Sequence, residues 1–214
     1  MSLFNTVVLD VDSTLTAVEG IDWLAARRSP ELAAEVARLT QQAMEGTTQL
    51  DSVYGRRLEL VNPSRTDVEA LGAAYVDAMA PEAHAVVREL QTKGVEVRLI
   101  SGGLAPAVRY LADHIGIAVA NVHAVDAYFD DAGRYSGYDR MSPLTRQSGK
   151  RELVELLDLA PPVLMVGDGM TDVEVIPAVD GFVAFTGFAS RPAVVARADH
   201  TISRLRELLK LVLG

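Results

Sequence analysis

The sequence predicts an α/β fold: a Rossmann-like parallel sheet with a helical cap domain inserted after its first strand and a small β-hairpin further along. Three observations carry that prediction. Short apolar runs alternate with helical periodicity along most of the 214 residues, as βαβ units do. From Thr16 to about Ala80 the periodicity is helical and no strand-like run occurs. Residues 125–139, VDAYFDDAGRYSGYD, set two alternating aromatic segments around Asp-Asp-Ala-Gly, the pattern of a hairpin.

The first run, TVVLDV (6–11), begins with consecutive apolar residues, the mark of a strand buried on both faces. The helical interval follows, punctuated by RRSPEL and VNPSRTDVEAL. In the first of these, Ser29 is placed as an N-cap with Pro30 at N1; in the second, Ser64 and Asp67 have capping-box spacing with Asp in the place of Glu. The expected organisation is a core of residues 1–15 and 81–214 with a cap of residues 16–80 over the end of the first strand. Within the core, a helix over 82–93 leads to the strand VEVRLIS (95–101), and a helix over 104–115 to IAVANV (117–122). After the hairpin, a helix over 146–158 leads to PVLMVGD (162–168). A short helix near 171–176, the strand GFVAF (181–185), a helix near 191–197, a weaker strand in DHTI (199–202) and a helix over 203–213 complete the chain.

Composition narrows the function. With 20 Lys+Arg against 29 Asp+Glu the net charge is −9 and no block of like charge occurs, which argues against nucleic acid or an anionic membrane as partner. An anionic substrate then needs a local cation. The absence of cysteine excludes disulfides, thiolate metal sites and thiol nucleophiles. The N-terminus lacks a basic n-region and a long apolar h-region, and no window approaches the roughly 18 apolar residues of a membrane span, so a cytoplasmic location is expected.

In open parallel sheets the ligand site lies beyond the carboxyl ends of the strands, near the point where strand order reverses. The first run ends in Asp10-Val11-Asp12-Ser13-Thr14, the second in Ser101-Gly102-Gly103 and the fourth in Gly167-Asp168-Gly169-Met170-Thr171-Asp172. Side chains at i and i+2 share a face, so Asp10 and Asp12 enter one crevice. Four aspartates in one crevice repel by about 4 kcal/mol per pair at 4 Å and an effective dielectric of 20. A hard divalent cation relieves this, and all-oxygen ligation favours Mg²⁺. Rival motifs fail: GDGMTD puts Asp172 where a dinucleotide-binding turn needs a small residue, SGKR around Lys150 lacks the flanks of a P-loop, ISGGL is not a nucleophile elbow, and the four histidines have no ligand spacing.

These residues resemble the haloacid dehalogenase superfamily of phosphoryl-transfer enzymes, and within it the phosphoserine phosphatase family. DVDST is similar to that superfamily's first motif, LISGG to the second, Lys150 to the third and GDGMTDVE to the fourth, in order along the chain. EGID (19–22), AMEG (43–46) and RRLEL (56–60) extend the resemblance through the cap. Two features depart from it: SPLTRQSGK before Lys150 is shorter than the Gly-rich run of close relatives, and no N-terminal regulatory domain is expected.

The resemblance implies hydrolysis of a small-molecule phosphomonoester, L-phosphoserine, as a step of serine biosynthesis, by a monomer or homodimer. It implies Asp10 as nucleophile, Asp12 as general acid and base, and Mg²⁺ held by Asp10, the Asp12 backbone carbonyl and Asp168. Ser101, Gly102, Lys150 and Thr171 are then the phosphate-binding groups, and Asp172 orients either a metal-bound water or Lys150. Glu19 and Arg57 are implied as partners of the substrate ammonium and carboxylate, with Arg56 the rival for the carboxylate. Met44 and Leu50 are apolar pocket wall or cap core. Another small phosphomonoester, phosphoryl transfer to another acceptor, and non-catalytic binding of a phospho-ligand are the alternatives.

Overall fold

In the computed structural model, which describes residues 2–214, the sheet begins with β1 (Thr6–Leu9), every residue of which is buried. Four helices come before the next strand: α1 (Gly20–Ala26), α2 (Pro30–Met44), α3 (Leu50–Val61) and α4 (Arg65–Asp77). The chain then runs through α5 (Ala83–Thr92), β2 (Glu96–Leu104), α6 (Ala105–His114), β3 (Val122–Val125) and the hairpin β4 (Ala127–Phe129) and β5 (Tyr135–Tyr138). It ends with α7 (Gly149–Leu156), β6 (Val163–Gly167), α8 (Met170–Val173), β7 (Gly181–Phe185), α9 (Pro192–Val195), β8 (His200–Ile202) and α10 (Leu208–Leu213).

The sheet order is β3-β2-β1-β6-β7-β8, every neighbouring pair parallel, and β4-β5 forms a separate antiparallel ribbon. Strand order reverses at β1, between β2 and β6. Leu9 is in register with Leu99 on one side and Val166 on the other, so the three strand ends finish side by side. That is the crevice where a doubly wound sheet holds its ligand.

The helical interval leaves the sheet and returns to it along adjacent strands of backbone. Thr16 bridges both Asp12 and Met79, the Ala17 N–H donates to the Ala78 carbonyl, and the Ala80 N–H donates to the Leu15 carbonyl at 2.8 Å. One hydrophobic cluster continues from the sheet (Leu9, Ile100, Val166) into the inserted helices (Leu58, Leu71, Tyr75). The hairpin also reaches those helices: Tyr138 meets Tyr54 edge to face at 5.4 Å, and the Arg65 N–H donates to the Gly133 carbonyl.

The expected strand over 117–122 is displaced. Ile117 is buried, Val119–Asn121 form a 3₁₀ turn with Val119 exposed, and the edge strand is β3. Alternating apolar residues fit a strand, but this run is spent carrying the chain from the end of α6 to the edge, where Val122 first pairs with Leu99. The helices expected over 146–158, near 171–176, near 191–197 and over 203–213 are shorter cores. Pro143–Thr145, Ile176–Ala178 and Leu205–Glu207 take 3₁₀ turns beside three of them.

Both expected caps are present. The Ser29 hydroxyl accepts from the Leu32 N–H with Pro30 in the first turn, and Ser64 and Asp67 close a reciprocal capping box on α4. Ser64→Ala leaves the Asp67 N–H without its cap and is expected to lower the unfolding free energy by about 1 kcal/mol in urea titrations.

Candidate active site

Three short segments at the strand ends build the floor of one cavity. Just past β1 the chain turns sharply, with Ser13 in the left-handed region at φ 54 and the N–H groups of Thr14, Leu15 and Thr16 converging on the Val11 carbonyl. Asp10 and Asp12 both line the cavity, together with Ser101, Gly102, Lys150 and Thr171. Glu19, Met44, Leu50 and Arg57 line it from the inserted helices, so the structure brings these ten expected residues to one place.

The remaining two expected residues lie behind the floor. Asp10, Asp168 and Asp172, all buried, each offer a carboxylate oxygen within 4.8 Å of the others. One Asp172 oxygen accepts from the N–H groups of Asp168 and Gly169, and the other from Lys150 Nζ at 2.6 Å. Lys150 Nζ also meets Asp10 Oδ1 at 2.7 Å. Lys150 comes close because Gly149 starts α7 against the Pro143 carbonyl, where a Cβ would have no room. Burial works against the ammonium, but the Asp10 and Asp172 carboxylates override it and raise its pKa. Burial, reinforced by Asp172, raises the Asp10 pKa in turn, against the pull of Lys150.

Asp12 is held differently. Its Oδ2 accepts from the Gly20 N–H at 2.7 Å and its Oδ1 from the Tyr75 hydroxyl at 2.5 Å. Burial pushes its pKa up to about 7, Glu19 adds to the shift, and the two hydrogen bonds oppose it. The Asp12 carboxylate is not among the oxygens of the Asp10 group.

The Asp10–Asp168–Asp172 donor set is hard, anionic and buried, which suits a divalent cation of the Mg²⁺ or Ca²⁺ type. Asp168 accepts from the Thr14 hydroxyl and is capped by the Arg191 guanidinium, which also lies 3.5 Å from Glu19. Arg191 follows β7, beyond another strand's carboxyl end. The rule that located the floor points to this loop too, but no local motif marks the residue.

Helix phase separates the two arginines. Leu50, Val53, Tyr54, Arg57, Leu58 and Val61 form the buried face of α3, whereas Arg56, with its side chain 59% exposed, turns outward toward Glu35. Arg57 is 5% exposed, its Nη1 donates to Thr40 Oγ1 at 2.8 Å, and its Nε has no hydrogen-bond partner among the described residues. The Thr40 hydroxyl donates onward to Asp22 at 2.5 Å, which gives Arg57 an anionic partner through a relay. The contact between Asp22 and Thr40 was not foreseeable: Thr40 falls in no motif, Asp22 closes EGID without any sign of its partner, and the two meet across two helices. The Tyr54 hydroxyl donates to the Gly102 carbonyl at 2.8 Å, and neither Tyr54 nor Tyr75 falls in a segment that pointed to the site.

The family model of the haloacid dehalogenase-like hydrolases matches residues 4–180. The chain is 36% identical over 208 residues to a phosphoserine phosphatase of Bos taurus, covering 96% of this chain and 92% of that one. A solved phosphoserine phosphohydrolase-like protein of Francisella tularensis shares the fold at a TM-score of 0.87 and 23% identity, over 97% of this chain and 99% of that one. A phosphoserine phosphatase solved as a phospho-aspartyl intermediate analogue superposes with a TM-score of 0.71 at 25% identity, over 96% and 97% of the two chains.

Burial, against the Thr40 hydrogen bond, raises Asp22 from 3.8 to about 6. In that interval the folded chain holds a proton that the unfolded chain has released, so raising the pH removes a proton the fold favours. The metal-free protein is therefore expected to lose stability as pH rises from 3.8 to about 6, and Asp22→Asn to reduce the loss. Urea midpoints of both proteins across that range measure the difference.

Proposed function

The chain belongs to the haloacid dehalogenase-like hydrolases, in their phosphoserine phosphatase branch, and from that premise we propose that it is an Mg²⁺-dependent phosphatase that hydrolyses L-phosphoserine to serine and phosphate through an aspartyl-phosphate on Asp10. In this reading residues 16–80 are a cap domain over a core of residues 1–15 and 81–214, and the protein works in the cytoplasm. No helix among the described residues is long and apolar enough to cross a membrane. The observation that carries the proposal is the two-sided cavity, with Asp10, Asp12, Ser101 and Lys150 on its floor and Glu19 and Arg57 on its helical wall.

Asp10 would attack phosphorus as the bond to the seryl oxygen breaks, and Asp12 would give its proton to that oxygen. Asp12 would then take a proton from water as the water oxygen attacks phosphorus and the bond to Asp10 breaks, which frees phosphate and restores both carboxyl groups. A group with its pKa pushed up to about 7 is suited to both transfers. Lys150, the Ser101 hydroxyl and the Gly102 N–H would hold phosphate oxygens, with Thr171 beside them. Asp10, the Asp12 carbonyl and Asp168 would hold Mg²⁺, whose charge offsets the repulsion between a carboxylate and a phosphate dianion. Asp172 would hold Lys150 in place, as its 2.6 Å contact with Nζ supports.

Recognition of the amino acid falls to the cap. Arg57 lines the cavity and its Nε is a buried donor without a partner among the described residues, the kind of group that a ligand carboxylate satisfies. Glu19, held by the Ser13 hydroxyl at 2.7 Å, offers a carboxylate to an ammonium, while Met44 and Leu50 supply apolar wall.

A panel of phosphomonoesters assayed with Mg²⁺ and with EDTA tests the proposal. Phosphoserine should be the preferred substrate and EDTA should abolish turnover; a preference for sugar phosphates, or none for any ester, overturns it. Asp10→Asn, nearly isosteric and unable to form the acyl phosphate, should eliminate turnover while circular dichroism stays unchanged.

Arg57→Ala should lower kcat/KM for phosphoserine by about 30-fold or more, the usual cost of breaking a buried charge-assisted contact. Turnover of p-nitrophenyl phosphate, which has neither carboxylate nor ammonium, should survive. Arg56→Ala should leave both substrates unaffected.

A further inference from the structure

We propose that Tyr75 is a positioning residue for proton transfer, fixing the Asp12 carboxyl group so that the inserted helices complete the acid–base half of the site. The inference rests on the reading of Asp12 as general acid and base.

Tyr75 sits in the last turn of α4, 63 residues from Asp12 in sequence, and its side chain is fully buried. Most of its ring packing is what any core aromatic would make. The hydroxyl is different, because it donates at 2.5 Å to Asp12 Oδ1 while the Gly20 N–H takes Oδ2. A carboxyl group anchored at both oxygens cannot rotate about its terminal torsion, so its proton has one line of approach to the cavity.

The surroundings of the hydroxyl are shaped to admit it. A Cβ on Gly20 would collide with the Tyr75 oxygen, and a Cβ on Gly103 would lie 3.2 Å from it. Gly20 begins α1 from the cap side and Gly103 belongs to β2, so the hydroxyl lies where inserted helices and sheet meet. A residue that served packing alone would need the ring and not this notch.

Tyr75→Phe keeps the ring and removes the bond. The discriminating readout is kcat/KM for two leaving groups, since it reports the steps up to leaving-group departure. The seryl oxygen must be protonated as it leaves, whereas p-nitrophenolate departs as a stable anion. With general acid catalysis worth about 10²-fold or more, Tyr75→Phe should lower kcat/KM for phosphoserine by about tenfold or more and that for p-nitrophenyl phosphate by less than about threefold. A burst of p-nitrophenol should appear, because activation of water by Asp12 in the second step is also slowed.

Gly20→Ala, which drives the hydroxyl from its notch with Tyr75 intact, should show the same split and add little in the Tyr75→Phe background. It supplies the test if Tyr75→Phe does not fold. Equal losses with both substrates, or no loss with either, overturn the role of Tyr75. Asp12→Asn distinguishes the two levels: if it retains phosphoserine turnover, the acid–base reading of Asp12 fails. If it abolishes turnover while Tyr75→Phe matches wild type, the role of Tyr75 alone fails.

Discussion

Everything in this site depends on one ammonium, Lys150 Nζ, placed between the buried carboxylates of Asp10 and Asp172 at 2.7 and 2.6 Å. Carboxylates this near one another and out of water repel strongly, and removing the central cation would leave uncompensated charge in the interior. The surrounding backbone is arranged around the same problem. Two N–H groups fix Asp172, the strand end carries Asp10 to the cluster, and Arg191 and Thr14 hold Asp168. The charged side chains that line the cavity, Asp10, Asp12 and Glu19 against Arg57, Arg146 and Lys150, balance in number, and behind the floor Asp168 and Asp172 outnumber Arg191. A pocket whose cations are already answered by carboxylates, and which is proposed to take an acidic ester, has a physical need for a metal ion, and the acidic net charge of the whole chain does nothing to lessen it.

The inserted helices act on this cluster through hydrogen bonds that cross the boundary between helices and sheet. Tyr54 reaches the Gly102 carbonyl and Tyr75 reaches Asp12, both from buried and largely apolar faces of their helices. Burial of each phenol raises its pKa, which keeps it a donor. The hydrophobic contacts of α3 and α4 thus serve as alignment for two polar contacts. The continuity of the hydrophobic cluster from sheet to helices is what gives those contacts fixed lengths.

What the sequence revealed and what it hid follow from distance along the chain. The acidic, serine and glycine segments after β1, β2 and β6 are contiguous, and parallel-sheet topology alone brings them together, so the floor was legible. So were Ser29 and Ser64, whose capping is settled within four residues. The edge strand was misplaced because Ile117–Val122 satisfies a local alternation while only pairing with β2 decides where β3 starts. Arg191, Asp22 and Thr40 were invisible for the same reason. Each matters by meeting a residue from another element, Asp168 or Arg57; Arg191 and Thr40 lie outside every motif, and EGID, which contains Asp22, gives no sign of what Asp22 meets.

Arg57 and Arg56 show how finely the inserted helix α3 is phased against the cavity. One residue of helix is about 100° of rotation, enough to move a guanidinium from the cavity to the outer surface beside Glu35. The buried arginine is tolerated because its charge is answered at second hand, Nη1 to the Thr40 hydroxyl and that hydroxyl to Asp22. The relay leaves Nε unmatched, so the inserted helices hold a cation desolvated, oriented and incompletely paired. Such a group gains more from a bound carboxylate than a solvated arginine would, because the cost of taking it out of water is already met by folding. The same logic holds on the floor, where Asp10 and Lys150 are buried and already paired with each other. Folding stability is thereby exchanged for a site whose polar groups need little rearrangement on binding, and the inserted helices and the sheet each supply half of it.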